Sequence, residues 1–407
     1  MQRIIGQDKE NKKIVNIVFF AFVIRLLVLI FILTIGQKLS EPYFIADDIK
    51  YDDSAKFYLK YAKDVFDRDV LNAVTEGYYE PFWPSFMCIT SAFFGTVYAA
   101  RFFNILFSTL CVKVIYDIVN IISNNIKTSL RAAKLFAFLP VTILTSCFPI
   151  KDIFLTLTVF FTFYVFLKIQ NGKKVTIANI ILLVIGLVCT FYTRGAVVEM
   201  LILFFVICYV HKFIKEKKYG IAFIIGIVSL LLFAMFYDNI MAAFDTKISD
   251  YGGESKDAGN IAYLNINSIF DIYKLPFTYM FANLQPIRIN FFSFSNERLW
   301  YNLITLLNVS IYPVAISSFL YIFCKKNNFI FWFLGFVMYS SVIILSLGVF
   351  RHYLFLLPFG IINCSLWLDE DEIKTKNKGF ILFLCSFLLF AAILAYSVFK
   401  NYTTNTF

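Results

Sequence analysis

The chain has 407 residues, 60% of them hydrophobic, with a mean hydropathy of +0.74 and a formal net charge of +10. Its apolar runs are long enough to cross a hydrocarbon core of roughly 30 Å, which takes about 20 helical residues, and strand-type alternation is missing. The expected fold is therefore an all-α polytopic membrane protein, and a closed barrel is excluded. The lysines and arginines are scattered over many short loops instead of forming one basic face, which argues against nucleic acid as a partner.

Taken in chain order, about eleven runs are expected to span, near 14–36, 96–122, 132–150, 153–169, 175–193, 195–211, 219–237, 301–323, 329–349, 352–368 and 379–398. The first is too long for a cleaved signal peptide and is read as a retained anchor. Alternate loops carry the cations: Lys12 and Lys13 before the first run, then Lys127 and Arg131, Lys173 and Lys174, Lys212 and Lys215, Lys325 and Lys326, and Lys374 and Lys376. Those loops are cytoplasmic by the positive-inside rule, and so is the N-terminus. The intervening turns hold one cation each, Lys151, Arg194 and Arg351. The chain is thus expected to be integral to the cell (inner or plasma) membrane. The eight cysteines sit singly in apolar runs and read as small core residues.

Two extracytoplasmic stretches are long, residues 37–95 and 238–300. The first gathers Asp47, Asp48, Asp52 and Asp53 with several tyrosines just after the first run. Its segment DSAKFYLKYAKDVF puts Phe57, Tyr61 and Val65 at helical spacing, which predicts an amphipathic helix lying on the membrane. The apolar piece EPFWPSFMCITSAFFG is too short to span and predicts a re-entrant or juxtamembrane helix.

With this orientation, Lys151 and Asp152, Arg194, Arg288, Arg298, Arg351 and His352 all fall on the same face as the first-loop acids. Carboxylates beside cations suit a site that deprotonates a hydroxyl while holding an anionic phosphate: the carboxylate is the general base, and Arg or Lys balances charge growing on the leaving group. Each residue also has a plainer reading. The aspartates fit a solvated loop with helix-start acids, and Asp48 and Asp52 share a face only if that segment is helical. Lys151 and Asp152 fit a helix-end pair, Arg194 and Arg351 fit snorkelling anchors, and His352 fits an interfacial aromatic. Arg25 lies mid-span, where an unpaired cation costs about 2.5–3.5 kcal/mol, so it should face protein or a headgroup. Lys113 and Asp117, four apart, are expected to pair locally.

In order, these elements resemble the GT-C superfamily of integral-membrane glycosyltransferases, in the branch with dolichyl-phosphate-mannose and aminoarabinose transferases. The residues that carry the resemblance are Asp47-Asp48-x-x-Tyr51-x-x-x-Ala55, or Asp52-Asp53 ahead of Tyr58-x-x-x-Ala62, between which the sequence does not choose. There follow GYYEPFWPSFMCITSAFFGTVYAARFFNIL, with Glu80 where the family often has proline; FLPVTILTSCFPIKD with Lys151 and Asp152; FYTRGAV with Arg194; and Phe350-Arg351-His352-Tyr353-Leu354 leading to Pro358. The resemblance implies a sugar donor linked to a polyprenyl phosphate, an Asp base in the first loop, and cations on the lipid phosphate. No metal-type cluster is visible, so a metal-free site is expected, with a divalent cation left open.

The expected activity is inverting transfer of a sugar from a polyprenyl-phosphate donor to a lipid or glycan acceptor at the extracytoplasmic face, in cell-envelope glycan (polysaccharide) synthesis. Asp48 or Asp53 would activate the acceptor, Lys151, Arg194 and Arg351 would hold donor phosphate, and Tyr51, Tyr58, Glu80, Asp152, Arg288, Arg298 and His352 are further candidate contacts. A repeat-unit polymerase is the alternative, with more weight on Arg288 and Arg298. A lipid-linked oligosaccharide flippase fits less well, because transporters keep ionisable groups nearer the midplane.

Overall fold

The structure, a computed structural model, describes residues 2–43, 46–76, 78, 80–172, 175–235, 299–324, 354–369 and 375–404. The described residues are helical and contain no strand, as expected of a polytopic α-helical membrane protein. In chain order the helices are α1 (Gln2–Thr34), α2 (Ala46–Tyr61), α3 (Arg68–Thr75), α4 (Phe82–Phe94), α5 (Ala99–Ser123), α6 (Ile126–Phe138), α7 (Pro140–Thr145), α8 (Lys151–Gln170), α9 (Ile177–Lys215), α10 (Tyr219–Met235), α11 (Leu299–Leu307), α12 (Tyr312–Cys324), α13 (Leu357–Asp369) and α14 (Thr375–Thr404). Among the described residues, five segments are long and apolar enough to cross a membrane: Lys12–Lys38, Ala99–Ser123, Lys151–Gln170, Ile177–Gly195 and Val197–Lys215. Shorter apolar helices accompany them, and the expected span 329–349 lies outside the described residues.

Helix α5 is the centre of the bundle, flanked by α1, α6 and α8. It is mostly apolar, with Asn104, Ser108 and Thr109 buried along it, and in its second half Lys113 and Asp117 form the expected local ion pair. The run 132–150, expected as one span, is instead two short helices. Leu139 takes an extended conformation (φ −66°, ψ 121°) and Pro140 opens α7. Proline has no N–H for the carbonyl four residues back and pushes the residue before it out of the helical region, so the break is a local consequence of sequence. The carbonyls freed at Phe136 and Ala137 are claimed by Arg25, whose Nη2 donates to Phe136 at 3.3 Å and Nη1 to Ala137 at 2.8 Å. The mid-span cation thus faces protein.

Helix α9 reverses on itself at Arg194, the one residue within it whose backbone is not helical (φ −164°, ψ 89°). Before the reversal the helix runs antiparallel to α8: Thr190 Oγ1 donates to Thr158 Oγ1 at 2.7 Å, and a Cβ on Gly186 would meet Thr162 Oγ1 at 3.8 Å. After it the chain runs alongside α8 in the same direction, with Phe163 against Phe204 (5.3 Å), Phe166 against Tyr209 (5.5 Å) and Lys212 Nζ donating to Gln170 O at 2.8 Å. The two halves match the two spans expected on either side of Arg194. They also bring that arginine back to the end of the bundle where α8 starts. Just past the C-terminal end of α1, Trp300 lies against Gly36, where a Cβ would stand 2.5 Å from the indole.

Candidate active site

The acidic segment after α1 folds as α2, with Asp47 and Asp48 in its first turn, where the helix dipole favours carboxylates. Its inward face carries Asp48, Tyr51, Asp52, Ala55 and Tyr58, all buried. Phe57 and Tyr61 are exposed, with ring centroids 4.5 Å apart. The helix stops at Tyr61, four residues short of Val65, and the Tyr58 hydroxyl donates to Val65 O at 3.0 Å across the turn that follows. The amphipathic helix is therefore present but shorter than predicted, and its inner side is acidic and aromatic.

Asp52 meets Arg101 at 2.9 Å, with both side chains essentially excluded from solvent. Arg101 also donates to Pro42 O at 2.7 Å and lies over the rings of Tyr43 and Tyr98, each 5.6 Å from its guanidinium. Burial pushes the Asp52 carboxyl above its ordinary range, and Arg101 opposes that shift without cancelling it. Because the folded-state pKa is raised, the native protein holds this proton more tightly than the unfolded chain. The resulting contribution is present below the unfolded value and is lost as pH rises through the folded one. Unfolding of wild type and Asp52→Asn followed across pH should therefore show wild type gaining relative to the variant as pH falls from neutral into the carboxylate range; a gain on raising pH contradicts this.

From α2 an aromatic wall leads to the start of α8. Tyr51 stacks on Tyr78 with centroids 5.8 Å apart, and Tyr51 packs in one buried cluster with Trp83, Met87 and Ala100, against which Phe154 lies. Trp83 Nε1 donates to Pro149 O at 2.8 Å, and Asn104 Nδ2 donates to Phe148 O at 2.7 Å and Ile150 O at 2.9 Å. These three bonds hold the turn before Lys151, so α8 begins at a defined point beneath α2. Its first two residues then face different partners. Lys151 forms an ion pair with Glu80, and Asp152 lies 3.9 Å from Arg194. At that longer distance, neither Asp152 Oδ1 nor Arg194 Nη1 has a hydrogen-bond partner among the described residues.

The family of dolichyl-phosphate-mannose-protein mannosyltransferases matches residues 17–243, more than half of the chain. The chain belongs to this family. Comparison with curated proteins found no match. The mannosyltransferase family is a GT-C family of membrane glycosyltransferases that draw the sugar from a polyprenyl-phosphate donor, and that is the activity the family assigns here. The matched residues include the first-loop acids, Lys151 and Arg194.

Of the residues singled out in the sequence, the structure brings Asp48, Tyr51, Asp52, Glu80, Lys151, Asp152 and Arg194 to one end of the bundle. Asp47 is half-buried at the start of α2. Burial, and to a smaller extent the carboxylate of Asp47, raise the pKa of the Tyr78 phenol. Asp53 is on the outward face, 61% exposed and bonded to Lys56 at 2.9 Å. Tyr58 is buried within the first loop. Arg288, Arg298, Arg351 and His352 lie outside the described residues. Among the described residues no three His, Cys, Asp or Glu side chains gather where they could hold a metal ion.

Three residues with a part in this geometry carry no assigned role in the sequence reading: Trp83, Arg101 and Asn104. Arg101 is visible there only as the second half of the Ala100-Arg101 pair that opens α5. Asn104, one turn later in an apolar helix, is a polar residue that a search for buried side-chain amides would have flagged.

Proposed function

We propose that the protein transfers one sugar from a polyprenyl phosphate to an acceptor hydroxyl at the extracytoplasmic face, with inversion at the anomeric carbon. The observation that carries this is the convergence, at one end of the bundle, of the acids of α2 with Lys151 and Arg194. The contacts of Tyr51, Trp83 and Pro149 connect the two groups. Asp47 is assigned the proton of the acceptor, because it keeps solvent access in the first turn of α2. Asp52 is engaged by Arg101, and Asp53 is turned outward. As the acceptor oxygen bonds to the anomeric carbon, the bond from that carbon to the phosphate oxygen breaks. Lys151 and Arg194 then hold the charge left on the polyprenyl phosphate. Arg194 Nη1, without a hydrogen-bond partner among the described residues, is a donor suited to a phosphate oxygen.

The positive inside distribution of lysines supports the extracytoplasmic placement of this end, and the two cations supply positive charge without calling on a metal. The test is incubation of the purified protein, in nanodiscs, with a panel of radiolabelled polyprenyl-phosphate sugars and extracted envelope lipids and glycans. One added sugar from one donor is the expected product. A ladder of repeats, or no transfer from any donor in the panel, overturns the reading.

A further inference from the structure

Lys151, the cation assigned to the donor phosphate, is already occupied. Its ammonium is paired with the Glu80 carboxylate, with side chains only 13% and 18% exposed respectively. An ion pair this sheltered is screened much less than a surface pair. Lys151 cannot present its charge fully to a phosphate while it is held by a carboxylate. The neighbouring cation is held more loosely, since Arg194 stands 3.9 Å from Asp152 with no hydrogen bond between them. Among the described residues, each of these two cations thus has one carboxylate beside it, and the Glu80–Lys151 contact is the tighter of the two.

The two carboxylates differ in how freely they can leave. Asp152 is buried in the first turn of α8, where the helix dipole holds it. Glu80 lies outside any helix, one residue before Pro81, the N-cap of α4. Released from Lys151, its carboxylate still has a favourable resting place near the positive end of α4. It is therefore the displaceable one of the two.

We infer that Glu80 is a built-in competitor of the donor phosphate: it occupies Lys151 in the donor-free enzyme, and donor binding requires exchange of the carboxylate for the phosphate oxygens. This rests on the reading of Lys151 as a phosphate holder. It makes Glu80 a determinant of donor affinity, with no direct part in the chemistry. It also keeps a partly buried lysine from being left unpaired when no donor is present, and it lowers the attraction of the site for stray anionic headgroups.

The test measures binding, without turnover, of undecaprenyl phosphate titrated into protein in phosphatidylcholine nanodiscs, whose zwitterionic headgroups do not compete for the lysine. Glu80→Gln keeps the size and a hydrogen-bonding group while removing the charge, and Glu80→Ala removes both. Each should tighten binding by about 3- to 10-fold, the range set by a pair stronger than an exposed one. In a Lys151→Met background the Glu80→Gln gain should vanish, because the two side chains act through each other. Thermal unfolding run in parallel identifies a variant that has lost its fold. Unchanged or weaker binding in both Glu80 variants, beside a damaged Lys151→Met, overturns this inference alone and makes Glu80 a support for Lys151. Unchanged binding in Lys151→Met overturns the phosphate-holding reading, and this inference falls with it.

Discussion

Asp47→Asn should lower the rate of sugar transfer by about 10²- to 10⁴-fold, the range that a positioned general base contributes. The asparagine has the same shape and keeps a helix-start side chain, so α2 should form as before. What it lacks is an acceptor for the proton of the attacking hydroxyl. Donor affinity should be nearly unchanged, because the proposed site holds the phosphate with α8 and the α9 reversal and not with α2. The loss should therefore appear in kcat, with the KM for donor preserved. Asp53→Asn is the internal comparison: that side chain faces outward and bonds Lys56, so its neutralisation should leave the rate essentially as it was. An Asp47→Asn enzyme of full activity, beside an inactive Asp48→Asn enzyme of normal stability, would move the base one residue along the helix.

The choice between Asp47 and Asp48 shows what the sequence carried and what it did not. The acids, the tyrosines and their nearness to the first span are plain in the chain, and so is the spacing that puts Asp48, Tyr51, Asp52, Ala55 and Tyr58 on one helical face. Which face turns inward was not legible, because the outward face with Phe57 and Tyr61 looks at least as apolar as the buried one. That face is chosen by Arg101, 49 residues away, and by the Tyr78 and Trp83 rings, which local periodicity does not reveal. The Glu80–Lys151 pair is equally hidden, spanning 71 residues.

The reversal at Arg194 was legible, since the alternation of cationic loops required a turn on the other side of the membrane there. The break at Pro140 was legible as well, and the reading of 132–150 as one span overlooked it. A proline at the ninth residue of an apolar run removes one hydrogen bond and bends the residue before it, whatever the surroundings. Arg25 was recognised as needing protein around it. That its partners would be the very carbonyls released by Pro140 required the packing of α1 on α6.

Those partners make Arg25→Met the substitution expected to damage the fold most, by about 2–5 kcal/mol. Arg25 is fully buried and spends its donors on Ser108 Oγ (3.0 Å), Ala21 O (3.0 Å), Ala137 O (2.8 Å), Phe136 O (3.3 Å) and Thr142 Oγ1 (3.4 Å). Methionine fills much of the volume and satisfies none of these acceptors. Ala137 O is left facing apolar surroundings, and such an orphan costs about 1–3 kcal/mol. The opposing expectation, that deleting a mid-span cation should stabilise, fails on its reference state. In the separated helices Arg25 faces lipid at a cost of about 2.5–3.5 kcal/mol, and methionine relieves that cost there and not in the bundle. Both effects therefore favour unfolding. Arg25→Lys should fall between wild type and methionine, because one ammonium cannot reproduce the planar fork of donors. Thr142 Oγ1 stands 2.8 Å from both Phe136 O and Leu139 O and shares its one proton between them, so the Phe136 carbonyl keeps a partner in Arg25→Met and loses both when Thr142→Val is added. The double variant should accordingly be less stable than the two single effects summed. Thermal unfolding of the four proteins in nanodiscs decides this. Strict additivity, or an Arg25→Met protein as stable as wild type, would mean that the broken end of α6 does not depend on this arginine.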